Sequence, residues 1–84
     1  MIFKIIQNVQ YGESDRIQTV RLADNTLESI ETVISNLKNK IARYEVLEDY
    51  KLVDVEVAGP KSAQYLRTSV KKTALNAISS LKSY

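Results

Sequence analysis

Lys51-Leu52-Val53-Asp54-Val55-Glu56-Val57-Ala58 alternates almost without a fault. In an extended chain Val53, Val55 and Val57 point one way, Asp54 and Glu56 the other. A strand of this kind rests one face on a core and turns the other to water, the habit of an antiparallel sheet covered on one side. The covering layer is found upstream. Leu27, Ile30, Ile34, Leu37 and Ile41 recur in steps of three and four, a single apolar stripe that Val33 widens. Thr26 is placed to cap this helix of residues 27–41, with Glu28 in the positive first turn.

The remaining elements fit around this pair. Residues 2–11 form a strand with Phe3, Ile5, Val9 and Tyr11 on one face and Ile2 and Ile6 on the other. Gly12-Glu13-Ser14-Asp15 turns the chain into a second strand, 16–22. Residues 43–47 pair with 51–58 as a second hairpin around Glu48-Asp49-Tyr50. Gly59-Pro60-Lys61-Ser62 ends it, and 63–68 make a fifth strand.

Residues 70–81 show helical spacing in Val70, Ala74, Ile78 and Leu81 but carry several Ser and Thr, so the end of the chain is short helical or irregular. Ile78 and Leu81 are expected to cover Ile2 and Ile6 on the back of the sheet.

The expected fold is therefore α+β. An antiparallel sheet of about five strands, β-β-α-β-β-β, carries one helix on one face and a short helical or irregular C-terminal segment. Residues 1–84 make a single small domain. Its expected core is Phe3, Ile5, Val9, Val20, Leu27, Ile30, Ile34, Leu37, Val46, Val53, Val55, Val57 and Leu66.

Composition narrows the function. Neither His nor Cys occurs, which leaves no disulfide framework and removes the commonest general base. No ligand spacing for a metal and no glycine-rich loop is present, so no cofactor is expected. A serine nucleophile lacks an evident base beyond the lysines near Ser69. A non-enzymatic protein is the expectation. Apolar runs fall well short of the ~20 residues of a membrane span, which points to a cytoplasmic protein without a membrane partner.

Charge is divided unevenly along the chain. From Gly59 onward there is no acid and there are five bases, Lys61, Arg67, Lys71, Lys72 and Lys82; the first 58 residues hold seven bases and ten acids. An acid-free segment could meet phosphates, with Tyr65 or Tyr84 stacking on bases. The plainer alternative pairs these bases with acids of the second hairpin, Arg67 with Glu56 above all.

Tyr65-Leu66-Arg67-Thr68, followed by Thr73, Asn76, Ile78, Leu81 and Tyr84, resembles the ending of a family of small bacterial and phage domains of unknown function. The upstream layout is similar too: Ile17 to Val20, a Thr-capped helix, Tyr44 to Val46, and Val53 to Val57. Ala77 stands where that family usually has a second Asn, and Lys82 where it has Pro. The resemblance implies a small bacterial or phage domain and brings no activity, cofactor or catalytic residue.

The sequence thus points to a small binding or interaction domain with a protein partner, with Tyr65, Arg67, Lys71, Lys72 and Lys82 as candidate contact residues. A homodimer through a sheet edge is one form that partnership could take. The alternative is a nucleic-acid-binding accessory protein using the basic C-terminal segment.

Overall fold

A computed structural model describes residues 2–13, 16–78 and 81–83. Ser14 and Asp15 of the first turn, residues 79 and 80, and Tyr84 lie outside the described residues. The chain runs β1 (Ile2–Tyr11), β2 (Ile17–Leu22), β3 (Leu27–Ser29), α1 (Ile30–Lys38), β4 (Ala42–Glu48), β5 (Lys51–Ala58), β6 (Tyr65–Thr68), a 3-10 turn (Leu75–Ala77) and β7 (Lys82–Ser83). The fold is α+β. The strands lie in the order β3-β2-β1-β4-β5-β6, and β7 also pairs with β1.

The sheet is mostly antiparallel, but β1 runs parallel to β4 and to β7. The reason is the route of the chain. β1, β2 and β3 alternate in direction, α1 carries the chain back across one face, and β4 therefore starts in the direction of β1. β4 accompanies β1 over Ile2–Ile6, and β7 takes over beside Asn8 and Val9.

The helix begins three residues later than its apolar stripe suggests. Ala23-Asp24-Asn25-Thr26 makes a hairpin turn instead of a helix start. Asn25 adopts φ 71°, its amide donates to the Leu22 carbonyl, and Asp24 Oδ1 accepts from the Thr26 amide at 3.0 Å. That turn folds Leu27–Ser29 onto β2 as an edge strand, with Val20 opposite Glu28. Ser29 then caps α1, its hydroxyl accepting from the Thr32 amide at 3.2 Å. Leu27 and Ile41, expected at the ends of the stripe, are left exposed.

Inward-facing residues in β1 are set by a bulge. Ile6 pairs with Leu22 and Asn8 with Arg21, so Gln7 is an extra residue that reverses the alternation. Ile6 and Val9, three apart, consequently both enter the core. Phe3 and Ile5 were expected inside; they fall on the opposite face, where Phe3 is 62% exposed and Ile5 half-buried.

One cluster forms the core: Ile6, Val9, Val20, Leu22, Val33, Ala42, Tyr44, Val46, Val55, Leu66, Leu75, Ile78 and Leu81. Ile30, Ile34, Leu37, Val53 and Val57 pack against it partly buried. Ile78 and Leu81 join this same core with Ile6 and do not cover the back of the sheet; Ile2 stays exposed. The C-terminal residues Leu75, Ile78 and Leu81 fill the gap that α1 leaves on the covered face. The same segment also reaches the edge of β1, through β7.

The second hairpin has a two-residue turn. Asp49 and Tyr50 take φ 51° and 66° between the paired Glu48 and Lys51, the positive-φ pair that suits a tight hairpin. Among the described residues no helix is long and apolar enough to cross a membrane.

Candidate functional site

The outer face of the sheet carries no second layer among the described residues, and its composition follows from the register. Val46, Val55 and Leu66 point into the core, so their alternate neighbours point out. Phe3 pairs with Arg43 and Ile5 with Glu45; Glu45 then faces Asp54, Leu47 faces Leu52, and Glu56 faces Arg67. The alternation in 51–58 is thus realised as expected, with the valines inward and Asp54 and Glu56 on the wet side.

This face is more than a row of solvated charges. Phe3 lies under the Arg43 guanidinium, whose carbon is 5.5 Å from the ring centroid, a cation–π distance. Arg43 also donates to Asp54 at 2.6 Å. Leu52 and Tyr65 add apolar surface at 48% and 45% exposure. Tyr65 is held against the bend after β5. Gly59 sits there at φ 88°, and a Cβ on it would meet the Ala63 carbonyl at 2.7 Å and the Tyr65 ring at 3.1 Å.

The candidate contact residues are partly gathered here and partly dispersed. Arg67 Nε donates to Glu56 Oε2 at 2.7 Å, and Lys72 Nζ reaches the same oxygen at 3.1 Å. Lys72 turns back toward the sheet through a left-handed φ of 57°. The hydrogen bond from Arg67, and then that from Lys72, hold the Glu56 carboxyl below the usual carboxylate range. The Arg67 guanidinium is correspondingly raised, chiefly by Glu56 and to a smaller degree by Tyr65. Tyr65, Arg67 and Lys72 therefore form one group.

Lys71 stands apart, paired with Asp49 at the tip of the β4–β5 hairpin, which raises its ammonium. Lys82 lies in β7, where its carbonyl accepts from the Asn8 side chain at 3.4 Å. Three of the five bases after Gly59 thus face carboxylates.

Sequence reasoning missed the residues that complete this face. Phe3 was assigned to the core, and Arg43 was only a strand start. Phe3 alternates with the inward residues only until the bulge at Gln7, and nothing in the composition of residues 2–11 marks a bulge there.

Two other features have some depth. A groove of about 1040 Å³ opens between the β1–β2 hairpin, the start of α1 and the loop before β6. Ile17, Ile30 and Ile34 supply its apolar lining, and Glu13, Arg16, Glu31 and Lys61 its charged groups. Beneath the helix, Tyr44 donates to Glu28 Oε1 at 2.5 Å and accepts from Asn36 Nδ2 at 3.0 Å, and Lys4 pairs with the same carboxylate. Burial first, then the bond to Glu28, pushes the Tyr44 hydroxyl up to about 12; the Asn36 bond opposes that rise. A phenol so placed stays protonated and serves as a donor. Among the described residues no three His, Cys, Asp or Glu side chains gather to hold a metal ion.

Comparison of the chain with family models, curated proteins and solved structures gives no match.

Proposed function

We propose that this chain is a non-enzymatic protein-interaction module that docks its partner on the outer sheet face around Phe3, Arg43, Tyr65 and Arg67. The observation that carries this reading is Phe3. An aromatic ring 62% exposed near the start of β1, paired with β4 and lying under an arginine, is costly to leave in water. Aromatic side chains and arginine are the residue types that interfaces concentrate. The resemblance of Tyr65–Thr68 and the residues after it to small bacterial and phage domains fits this reading and adds no activity to it.

The sheet edges offer less. β3 has three residues, and the outer edge of β6 is occupied by the bridge from Arg67 to Ala74 and by the Thr68 amide bonded to Thr73. A nucleic-acid role for Arg67, Lys71, Lys72 and Lys82 also has weaker support. Arg67, Lys71 and Lys72 already face carboxylates, and a phosphate backbone approaching this face would meet Asp54 and Glu56.

The test is a capture experiment with immobilised chain and its Phe3→Asp variant. Phe3 is outside the core, so the variant keeps the fold. Partners retained by the parent chain and lost by the variant are expected; equal retention by both would remove this face from the account. Binding to single- and double-stranded DNA at low salt, absent here by expectation, tests the alternative.

A further inference from the structure

We propose that the occupant of the outer face is a second copy of this chain, packed sheet to sheet; this rests on reading that face as an interface. Three bases, Arg43, Arg67 and Lys72, and three acids, Glu45, Asp54 and Glu56, share the face. A polyanion would be repelled by one set and a polycation by the other. A surface balanced in this way is matched by its own copy, which is what a two-fold interface requires.

The register shows how the match forms. Phe3 pairs with Arg43, and Glu56 with Arg67. The Glu45–Asp54 register, continued by two residues, sets Arg43 beside Glu56. Phe3, Arg43, Glu56 and Arg67 therefore form one row across β1, β4, β5 and β6, with the signs of the last three alternating. A two-fold axis running between β4 and β5 turns this row onto itself. It brings Arg43 against Glu56 of the second copy, and Phe3 against its Arg67. Each of these contacts occurs twice.

The same axis sets Glu45 against Asp54 of the second copy, a like-charge contact that limits affinity. A standard interface uses about 800 Å² per partner, and the molecule's principal extents are 32 × 30 × 26 Å.

The experiment is sedimentation of the full chain over a concentration series, with Arg43→Glu, Glu56→Arg and the double variant, each checked for fold by circular dichroism. The parent chain is expected to form a dimer, and each single reversal to weaken it at least tenfold. The double reversal restores the opposed charges and is expected to recover most of the loss. Glu45→Gln is expected to tighten the dimer. A parent chain that stays monomeric at millimolar concentration, or a dimer indifferent to the single reversals, overturns the second-copy inference. If the chain is monomeric while Phe3→Asp still abolishes capture of another protein, the face remains an interface and only its occupant was misassigned.

Discussion

The hydroxyl of Tyr44 donates to Glu28 Oε1 from a ring that is 1% exposed, joining the β4 strand beneath the helix to the short strand that precedes it. The bond explains how a three-residue strand is kept in place. Val20 opposite Glu28 fixes its register, and the carboxylate, shared by Tyr44 and Lys4, anchors it from below. Tyr44→Phe leaves that carboxylate oxygen without its donor and is expected to cost about 1.5–3 kcal/mol, the range for a hydrogen bond to a charged group. Urea denaturation at neutral pH measures it.

The same pair gives a pH dependence. The Tyr44 hydroxyl titrates near 12 in the folded chain, above its ordinary value of 10.0. Between these values the folded state holds a proton that the unfolded chain has released, so this contribution is intact below pH 10 and falls as pH rises toward 12. Urea midpoints of the parent chain and of Tyr44→Phe should converge over that window. A constant gap from pH 9 to 11.5 would show that the phenol is not held in this way.

Helix capping separates two residues that sequence reasoning confuses. Ser29→Ala removes the acceptor for the Thr32 amide and should cost about 1 kcal/mol. Thr26→Ala should change stability far less, because Thr26 is exposed and contributes its backbone to the turn. The reverse ranking in thermal or urea unfolding would restore a helix beginning at residue 27.

At the C-terminal end, Leu75 is 1% exposed and belongs to the core cluster with Ile6 and Val33. Leu75→Ala is expected to destabilise by about 2–5 kcal/mol, as a large-to-small change in a packed interior does. Val70→Ala, at 79% exposure, should be close to neutral. If both are neutral, the segment is an appendage and does not close the fold.

Glu56 offers a local probe of the outer face. Its carboxyl should titrate below the usual carboxylate range by NMR, and Arg67→Met should raise that value more than Lys72→Met, because the Arg67 hydrogen bond is the larger cause. Any stability it lends is present above the unfolded carboxylate value and lost as pH falls through the folded one.

Much of the architecture was legible because local pattern and tertiary demand agree. The alternation in residues 51–58 stands as expected, the turn expected over Glu48–Tyr50 tightens to Asp49–Tyr50, the strand expected over 63–68 starts at Tyr65, and Arg67 pairs with Glu56 as cross-strand neighbours do. Three features were hidden for physical reasons. Asp24-Asn25-Thr26 suits a hairpin turn as well as a helix start, and only pairing with β2 decides between them. The Gln7 bulge inverts the faces of β1 without a compositional mark, so Phe3 was placed inside. Leu75 enters the core at a 3-10 turn together with Ile78 and Leu81, whereas the helical spacing of Val70, Ala74, Ile78 and Leu81 leaves Leu75 off its stripe. The second and third of these also decided the site. Sequence reasoning singled out Tyr65 and Arg67, which the structure places on the outer face, and not Phe3; Lys71 and Lys82 lie elsewhere, beside Asp49 and Asn8.

Photo-crosslinking from single positions in living cells probes whether the outer sheet face is where this protein meets its partner. A benzoylphenylalanine at Leu52, on the outer face, should give a discrete adduct, whether with a second copy or another protein. The same probe at Lys40, exposed just beyond the helix, should give none. An adduct from Lys40 with none from Leu52 would contradict the claim.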